Sequence, residues 1–227
     1  MTVPRASSSD AIQLNNHSTN ELTMGQITAI EPQARHSNRF NVYVDNEFAL
    51  GLSAFTAARV RVGQIVTATE LAELERAEAR ETAHNKALRF LEPRPRSVAE
   101  VREHLVKKKI ANDVIDETLA RLKDAGLLDD AAFAKYWVEN RETFRPRAGR
   151  ALRYELKRKG IADSAIGDVL GEIDESDSAY RAVANRAQRW SNLERREFMD
   201  KVSAFLVRRG FGYDIAKSTA KRLWDEK

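Results

Sequence analysis

The densest charge in the chain lies between Arg145 and Lys159. Arg145, Arg147, Arg150, Arg153, Lys157, Arg158 and Lys159 are opposed there only by Glu155. Positions 150, 153 and 157 step by three and four, so on a helix they share one face, while Leu152 and Leu156 fall on the opposite, buried side. A row of this kind can follow a phosphate backbone or pair with an acidic protein surface. Lys107, Lys108 and Lys109 form a shorter basic run upstream, and Arg208-Arg209 a third downstream. Any one run alone reads as a solvated helix face. Their recurrence points to an anionic or filamentous ligand, with Arg147, Arg150, Arg153, Lys157 and Arg158 as first candidates and Lys107, Lys108, Arg208 and Arg209 as second.

No catalytic constellation competes with this reading. The chain has no GK[ST] phosphate loop, no GxSxG elbow and no HExxH. His17, His36, His84 and His104 are scattered, which suits solvated or packed side chains rather than metal ligands. Asp129-Asp130 could hold Mg²⁺, but the pair directly precedes an apolar helical run, where one Asp as N-cap and both charges at the positive end of the helix dipole account for it. No cofactor and no metal are expected, and nuclease chemistry is the weaker alternative. Trp137, Trp190 and Trp224, with Tyr136, Phe144 and Tyr180, could stack on bases. Each tryptophan stands beside other apolar residues, so core packing is the expectation.

The elements that must carry these residues follow from composition and pattern. The chain has 227 residues, 42% of them hydrophobic, with 38 Lys+Arg, 34 Asp+Glu and no Cys. That excludes disulfides and thiolate metal or redox sites. A net charge of +4 is modest, so any polyanion affinity must come from clustering. No apolar run approaches the roughly 18–20 residues that span a bilayer, and the N-terminus has no apolar signal core. A soluble cytoplasmic protein without membrane contact is expected. Residues 1–23, rich in Ser, Asn and Thr, read as a disordered tail. Alternation at Phe40, Val42 and Val44, resumed at Phe48, Leu50 and Leu52 after Asp45-Asn46, predicts a hairpin. With strands over 26–30 and 63–66 it makes a small β-rich module at 24–67. Thr67 and Glu70 form a capping box. The charged helix that follows, 68–83, has few large apolar residues and reads as exposed.

From about residue 84 the pattern is helical and internally repeated. Segments 101–122, 152–173 and 202–223 superpose without a gap. Apolar columns coincide at Val101/Leu152/Val202, Leu105/Leu156/Leu206, Ile110/Ile161/Phe211, Ile115/Ile166/Ala216, Leu119/Leu170/Ala220 and Leu122/Ile173/Leu223. Each unit holds a helix, a tight turn at Lys109, Gly160 or Gly210, and another helix. Asn112 and Asp163 are placed to cap the latter, and Ser97 with Glu100 forms a further capping box. With a preceding helix (about 84–92, 130–144 and 178–191), three tandem three-helix repeats result, at 84–128, 129–175 and 176–227. The fold class is mainly α, an elongated, curved array behind the small β module and the connecting helix.

The runs PRPRSVAEVREHLVKKKI, VIDETLARLKDAGLLDDAAFAKYWVENR and RYELKRKGI resemble the RecX family of bacterial recombinase regulators, and the resemblance covers roughly 84–227. The segment ITAIEPQARHSNRFNVYVDNEFALGLS resembles the extension that precedes the repeats in some members. Two departures are visible: Lys109 stands where glycine is usual, and the third repeat is weaker in its last helix. The resemblance implies a non-enzymatic regulator that binds RecA, especially the RecA–single-stranded DNA filament, along its groove. It implies suppression of ATPase, strand-exchange and coprotease activities, and in many members direct DNA binding. No catalytic residues carry over. The competing class is a general single- or double-stranded DNA-binding protein acting by competition. A monomer is expected, since no heptad seam is sustained.

Overall fold

The computed structural model describes residues 24–34 and 36–227. The expected tail at 1–23 lies outside the described residues. The chain divides into two compact units, one ending at Thr82 and one running from Ala83 to Lys227.

The first unit carries an antiparallel sheet of β1 (Met24–Gln33), β2 (His36–Val44), β3 (Glu47–Ser53) and β4 (Ile65–Thr67), in the order β3-β2-β1-β4. Asp45 and Asn46 both adopt left-handed backbone (φ 50° and 68°), the requirement of a two-residue hairpin turn that follows the strand twist. Ile27, Val42, Leu52 and Val66 are buried at the centre of one small core. A short helix α1 (Ala54–Ala57), capped by Ser53, follows β3 and was not foreseen.

Thr67 and Glu70 form the expected reciprocal cap, with Thr67 N donating to Glu70 Oε2 at 2.7 Å and Glu70 N to Thr67 Oγ1 at 3.2 Å. The helix they start, α2 (Ala68–Leu91), runs without interruption through the expected boundary at 83/84. Its first part is exposed over most of its surface, as expected, yet one side docks on the sheet. Leu71 packs on the sheet core, and Glu78 is only 7% exposed. The Glu78 carboxylate accepts from Ser53 N (2.8 Å), Thr82 Oγ1 (3.1 Å) and Arg39 Nη1 (3.2 Å). A buried acid with three donors tethers the helix where apolar residues are scarce.

The second unit continues with α3 (Val98–Lys107) and α4 (Asn112–Asp124), then α5 (Asp130–Phe144), α6 (Gly149–Arg158) and α7 (Asp163–Gly171), then α8 (Glu175–Ala187), α9 (Arg195–Arg208) and α10 (Tyr213–Asp225). A 3₁₀ turn, Gln188–Trp190, extends α8. Each repeat has its own core, and the apolar columns read from the sequence supply it: Val101, Leu152 and Val202 are fully buried, as are Leu105, Leu156 and Leu206. The fold is therefore mostly helical, and no helix among the described residues is long and apolar enough to cross a membrane.

The turn after the second helix of each repeat places one residue in the left-handed region: Lys109 (φ 58°), Gly160 (φ 77°) and Gly210 (φ 98°). The following helices do not use the predicted caps. Their N-caps are Ala111, Ala162 and Gly212, without a side-chain bond, and Asn112 and Asp163 are already the first helical residues. Asp163 instead faces the basic row of α6.

Candidate interaction surface on the helical repeats

The basic turns are positioned by links from each repeat to the one before it. Asp129 caps its own helix, its Oδ1 accepting from Ala131 N (2.8 Å) and Ala132 N (3.0 Å). Asp130 reaches back, and its Oδ1 accepts from Val98 N at the start of α3 (2.9 Å). The third repeat, whose first helix is capped by Asp174 and so starts ahead of the expected boundary at 175/176, copies the device. Asp174 caps α8 through Ser176 N and Asp177 N, and Glu175 Oε1 accepts from Gly149 N at the start of α6 (2.6 Å). The first acid of each pair thus satisfies its own helix, and the second satisfies an orphan N–H of the preceding repeat. Both carboxylates of Asp129-Asp130 are accounted for by backbone donors, as the capping reading expects. Among the described residues no three His, Asp or Glu side chains gather where they could hold a metal.

The junction between repeats 1 and 2 is closed by Glu100. It completes the Ser97 capping box and also accepts from Arg94 Nη2 (3.0 Å) and Lys159 Nζ (2.7 Å). Burial alone would raise its pKa, but the hydrogen bonds and charges of Arg94 and Lys159 outweigh that and hold it at about 2. Lys159 lies 4.2 Å from the Trp137 ring centre. Glu155, the lone acid in the basic row, gathers Trp137 Nε1 (2.9 Å), Arg141 Nε (2.9 Å) and Arg147 Nη1 (2.8 Å).

The nine residues singled out from the sequence take different places. Arg153 and Lys157 share Asp163, at 3.4 and 3.0 Å, on an exposed face, and Lys157 is the main reason the Asp163 carboxyl lies below its ordinary range. Arg158 is exposed next to the equally exposed Tyr154, 5.9 Å from its ring. Lys107 pairs with Glu103 at 2.6 Å on the surface of α3. Lys108 and Arg208 are exposed, with no ion pair among the described residues. Three others are tied within or between repeats. Arg147 is held by Glu155, Arg150 Nε donates to the Gly210 carbonyl, and Arg209 Nη1 donates to the Pro146 carbonyl (3.1 Å). Arg150 is therefore exposed yet part of the junction between repeats 2 and 3, where the sequence suggested a free cation.

Beside that junction lies a cleft of about 390 Å³, lined by Phe144, Pro146, Arg186, Arg189, Phe205 and Arg209 among others. Arg209 sits 4.8 Å and Arg186 5.2 Å from the Phe205 ring centre. Burial, then the charges of Arg145, Arg147 and Arg186, lower the Arg209 pKa from its usual value. The three tryptophans pack partly buried on the repeat cores, in line with the sequence reading, but Phe144 does not: it is 79% exposed at the cleft mouth. Arg186 and Arg189 escaped the sequence reading because α8 shows no local basic run; only the fold brings them to Arg209.

Three family models match the chain: "Regulatory protein RecX N-terminal domain" over residues 25–67, "RecX, first three-helix domain" over 83–122, and "RecX, second three-helix domain" over 129–170. Regulatory protein RecX of Clostridium perfringens strain SM101 is 30% identical over 207 residues, spanning 88% of this chain and 97% of that protein. Regulatory protein RecX of Bacillus subtilis strain 168 is 28% identical over 202 residues, 87% of this chain and 76% of that protein. Among solved structures, one titled "Crystal structure of regulatory protein RecX" has a TM-score of 0.64 at 22% identity, covering 88% of this chain and 99% of that one. RecX from Lactobacillus salivarius has a TM-score of 0.57 at 25% identity, covering 65% and 97%. On its sequence, its repeats and its fold, the chain belongs to the RecX family of regulatory proteins.

Proposed function

We propose that this protein is a cytoplasmic, non-enzymatic negative regulator of RecA that binds the RecA–single-stranded DNA filament along its groove. It suppresses ATPase, strand-exchange and coprotease activities and so acts in the control of DNA repair and recombination. The observation that carries the reading, beside family membership, is the repetition of a basic turn at equivalent places in three stacked repeats: Lys107-Lys108, Arg158 and Arg208. Contacts that are weak singly add through effective concentration when several units engage neighbouring protomers of one filament. Arg153, Lys157 and Arg158 present an exposed basic face of α6 on that surface, while Arg150 and Arg209 are tied at the junction between repeats 2 and 3 and Arg147 within repeat 2.

The test is the RecA ATPase rate on single-stranded DNA as this protein is titrated in, with a parallel DNA-only binding curve at the same salt. Inhibition well below the concentration that coats bare DNA is expected. Inhibition only at DNA saturation would give the lead to the second reading, a general DNA-binding protein acting by competition, which the arginine-lined cleft between repeats 2 and 3 favours. Reversal of Arg153, Lys157 and Arg158 to Glu should leave folding intact and weaken filament binding. Arg150 is left out of this variant because of its bond to Gly210.

A further inference from the structure

The two junctions between repeats are built from equivalent positions with different residues. Aligning the repeats by their apolar columns makes Arg145 the counterpart of Arg94, Arg209 that of Lys159, and Ala151 that of Glu100. Aligning the first helices by their capping acids makes Arg186 the counterpart of Arg141, and the columns set Phe205 opposite Glu155. Three of the four cations held by Glu100 and Glu155 thus recur around the second junction, the fourth, Arg147, has Glu197 in its column, and both carboxylates are replaced, by Ala151 and Phe205. Arg145, Arg186, Arg189 and Arg209 have no carboxylate within ion-pair distance among the described residues. The one acid lining the cleft, Glu142, has Oε2 engaged by Ser178 Oγ and Arg181 Nη2. Its Oε1 is buried without a hydrogen-bond partner. Arg181 also donates to the Glu142 carbonyl and pairs with Asp177, so it is not part of the unneutralised set.

We propose that the junction between repeats 2 and 3 is completed by a ligand. A phosphate of single-stranded nucleic acid takes the place that the Glu100 carboxylate holds between repeats 1 and 2, and the adjoining base lies on the Phe144 ring. Guanidinium groups offer paired donors that match phosphate oxygens, and an exposed aromatic next to them is the usual partner of an unstacked base. An acidic peptide would satisfy the arginines but leaves Phe144 without a role, and a duplex keeps its bases stacked and out of reach. The bound strand then braces α6, α8 and α9 as Glu100 braces the preceding pair of repeats. The site needs no RecA, so the proposed regulation could fail without touching it, and the reverse.

The test uses the full chain alone, with fluorescent oligothymidylate and an abasic phosphodiester strand of equal length. Phe144→Ala should weaken oligothymidylate binding about tenfold and leave the abasic strand unaffected. Arg145→Ala with Arg189→Ala, both exposed, should weaken both strands and lower the slope of log affinity against log salt by about 1.4, two contacts' worth. Lys217→Ala with Lys221→Ala removes the same charge outside the cleft and should leave the preference for bases intact. Ala151→Glu should restore the missing carboxylate, weakening both strands while the free protein unfolds at a higher temperature; should that variant not fold, the two arginine substitutions carry the test. The proposal is overturned by Phe144→Ala acting equally on both strands or on neither. It is overturned too by oligoglutamate displacing oligothymidylate at the lower concentration, which would assign the cleft to an acidic protein segment.

Discussion

The junction between repeats 1 and 2 is electrostatically closed, and the junction between repeats 2 and 3 is open. In the first, Glu100 joins Arg94 to Lys159 of the next repeat, and Glu155, within repeat 2, receives Arg141 and Arg147. In the second, the matching cations rest on a backbone carbonyl and an aromatic face. The backbone devices are shared: an acid from the next repeat bonds the first N–H of α3 and of α6, and a left-handed residue ends each turn. The repeat therefore conserves its hydrogen-bonded geometry while its charge balance varies. Geometry holds the stack together; unbalanced charge is what remains available to a partner.

The strongest way to break this comparison is at the turns. A Cβ on Gly160 would lie 2.6 Å from the Ala99 Cβ, and one on Gly210 would lie 3.0 Å from the Ala151 Cβ. Both positions also require positive φ. Gly160→Ala should cost about 3 kcal/mol, combining left-handed strain with overpacking against a rigid methyl, and Gly210→Ala about 2 kcal/mol. Thermal or denaturant unfolding of the two variants checks the order. The reverse order would mean that the second junction is the tighter one.

Next in size is the carboxylate itself. Glu100→Gln leaves Arg94 and Lys159 facing each other and should lower stability by about 1–2 kcal/mol, a figure reduced for solvent screening. The pH dependence sharpens the test. The folded pKa of Glu100, about 2, lies below its ordinary 4.5. Its contribution is therefore complete above about pH 4.5 and is lost as pH falls toward 2. Urea midpoints measured across that range should fall less steeply in Glu100→Gln than in the parent. The single-residue ties come after this. Asp130→Ala and Glu175→Ala each remove one cap from a neighbouring repeat and should each cost about 1 kcal/mol. Equal losses would show that the backbone links are equivalent at the two junctions, even though the charges are not.

Much of this architecture is legible in one sequence because periodicity is local. The apolar columns, the two capping boxes, the Asp45-Asn46 hairpin and the capping role of Asp129 depend on residues a few positions apart. What escaped is long-range. Glu78 in a charged stretch gives no sign that Arg39 and Ser53 will meet it. Lys159 and Glu100 stand 59 residues apart, and their pairing depends on how one repeat stacks on the next. The signal for the open junction was nevertheless present. The alignment that exposes the apolar columns also sets Glu100 against Ala151 and Lys159 against Arg209 in the columns between. Local density along the basic row at 145–159 does not separate a cation that the fold neutralises, such as Arg147, from one it leaves bare, such as Arg145.

The smallest expected effect concerns the first repeat. Lys109 occupies the left-handed position that glycine holds in the other two, and its side chain is exposed. At Gly160 and Gly210 two constraints act together, positive φ and the close approach of an alanine methyl from the preceding repeat. At Lys109 only the first is visible, and for a non-glycine residue it costs about 1 kcal/mol. Lys109→Gly should relieve that strain but enlarge the freedom of the unfolded chain, for a net gain of about 0.5 kcal/mol. It also removes one charge from the basic turn. A variant that unfolds at slightly higher denaturant and leaves the proposed binding to the RecA filament unchanged would confirm the backbone strain and assign Lys109 no part in the contact. A loss of binding despite the gain in stability would explain why lysine is kept there against its backbone preference.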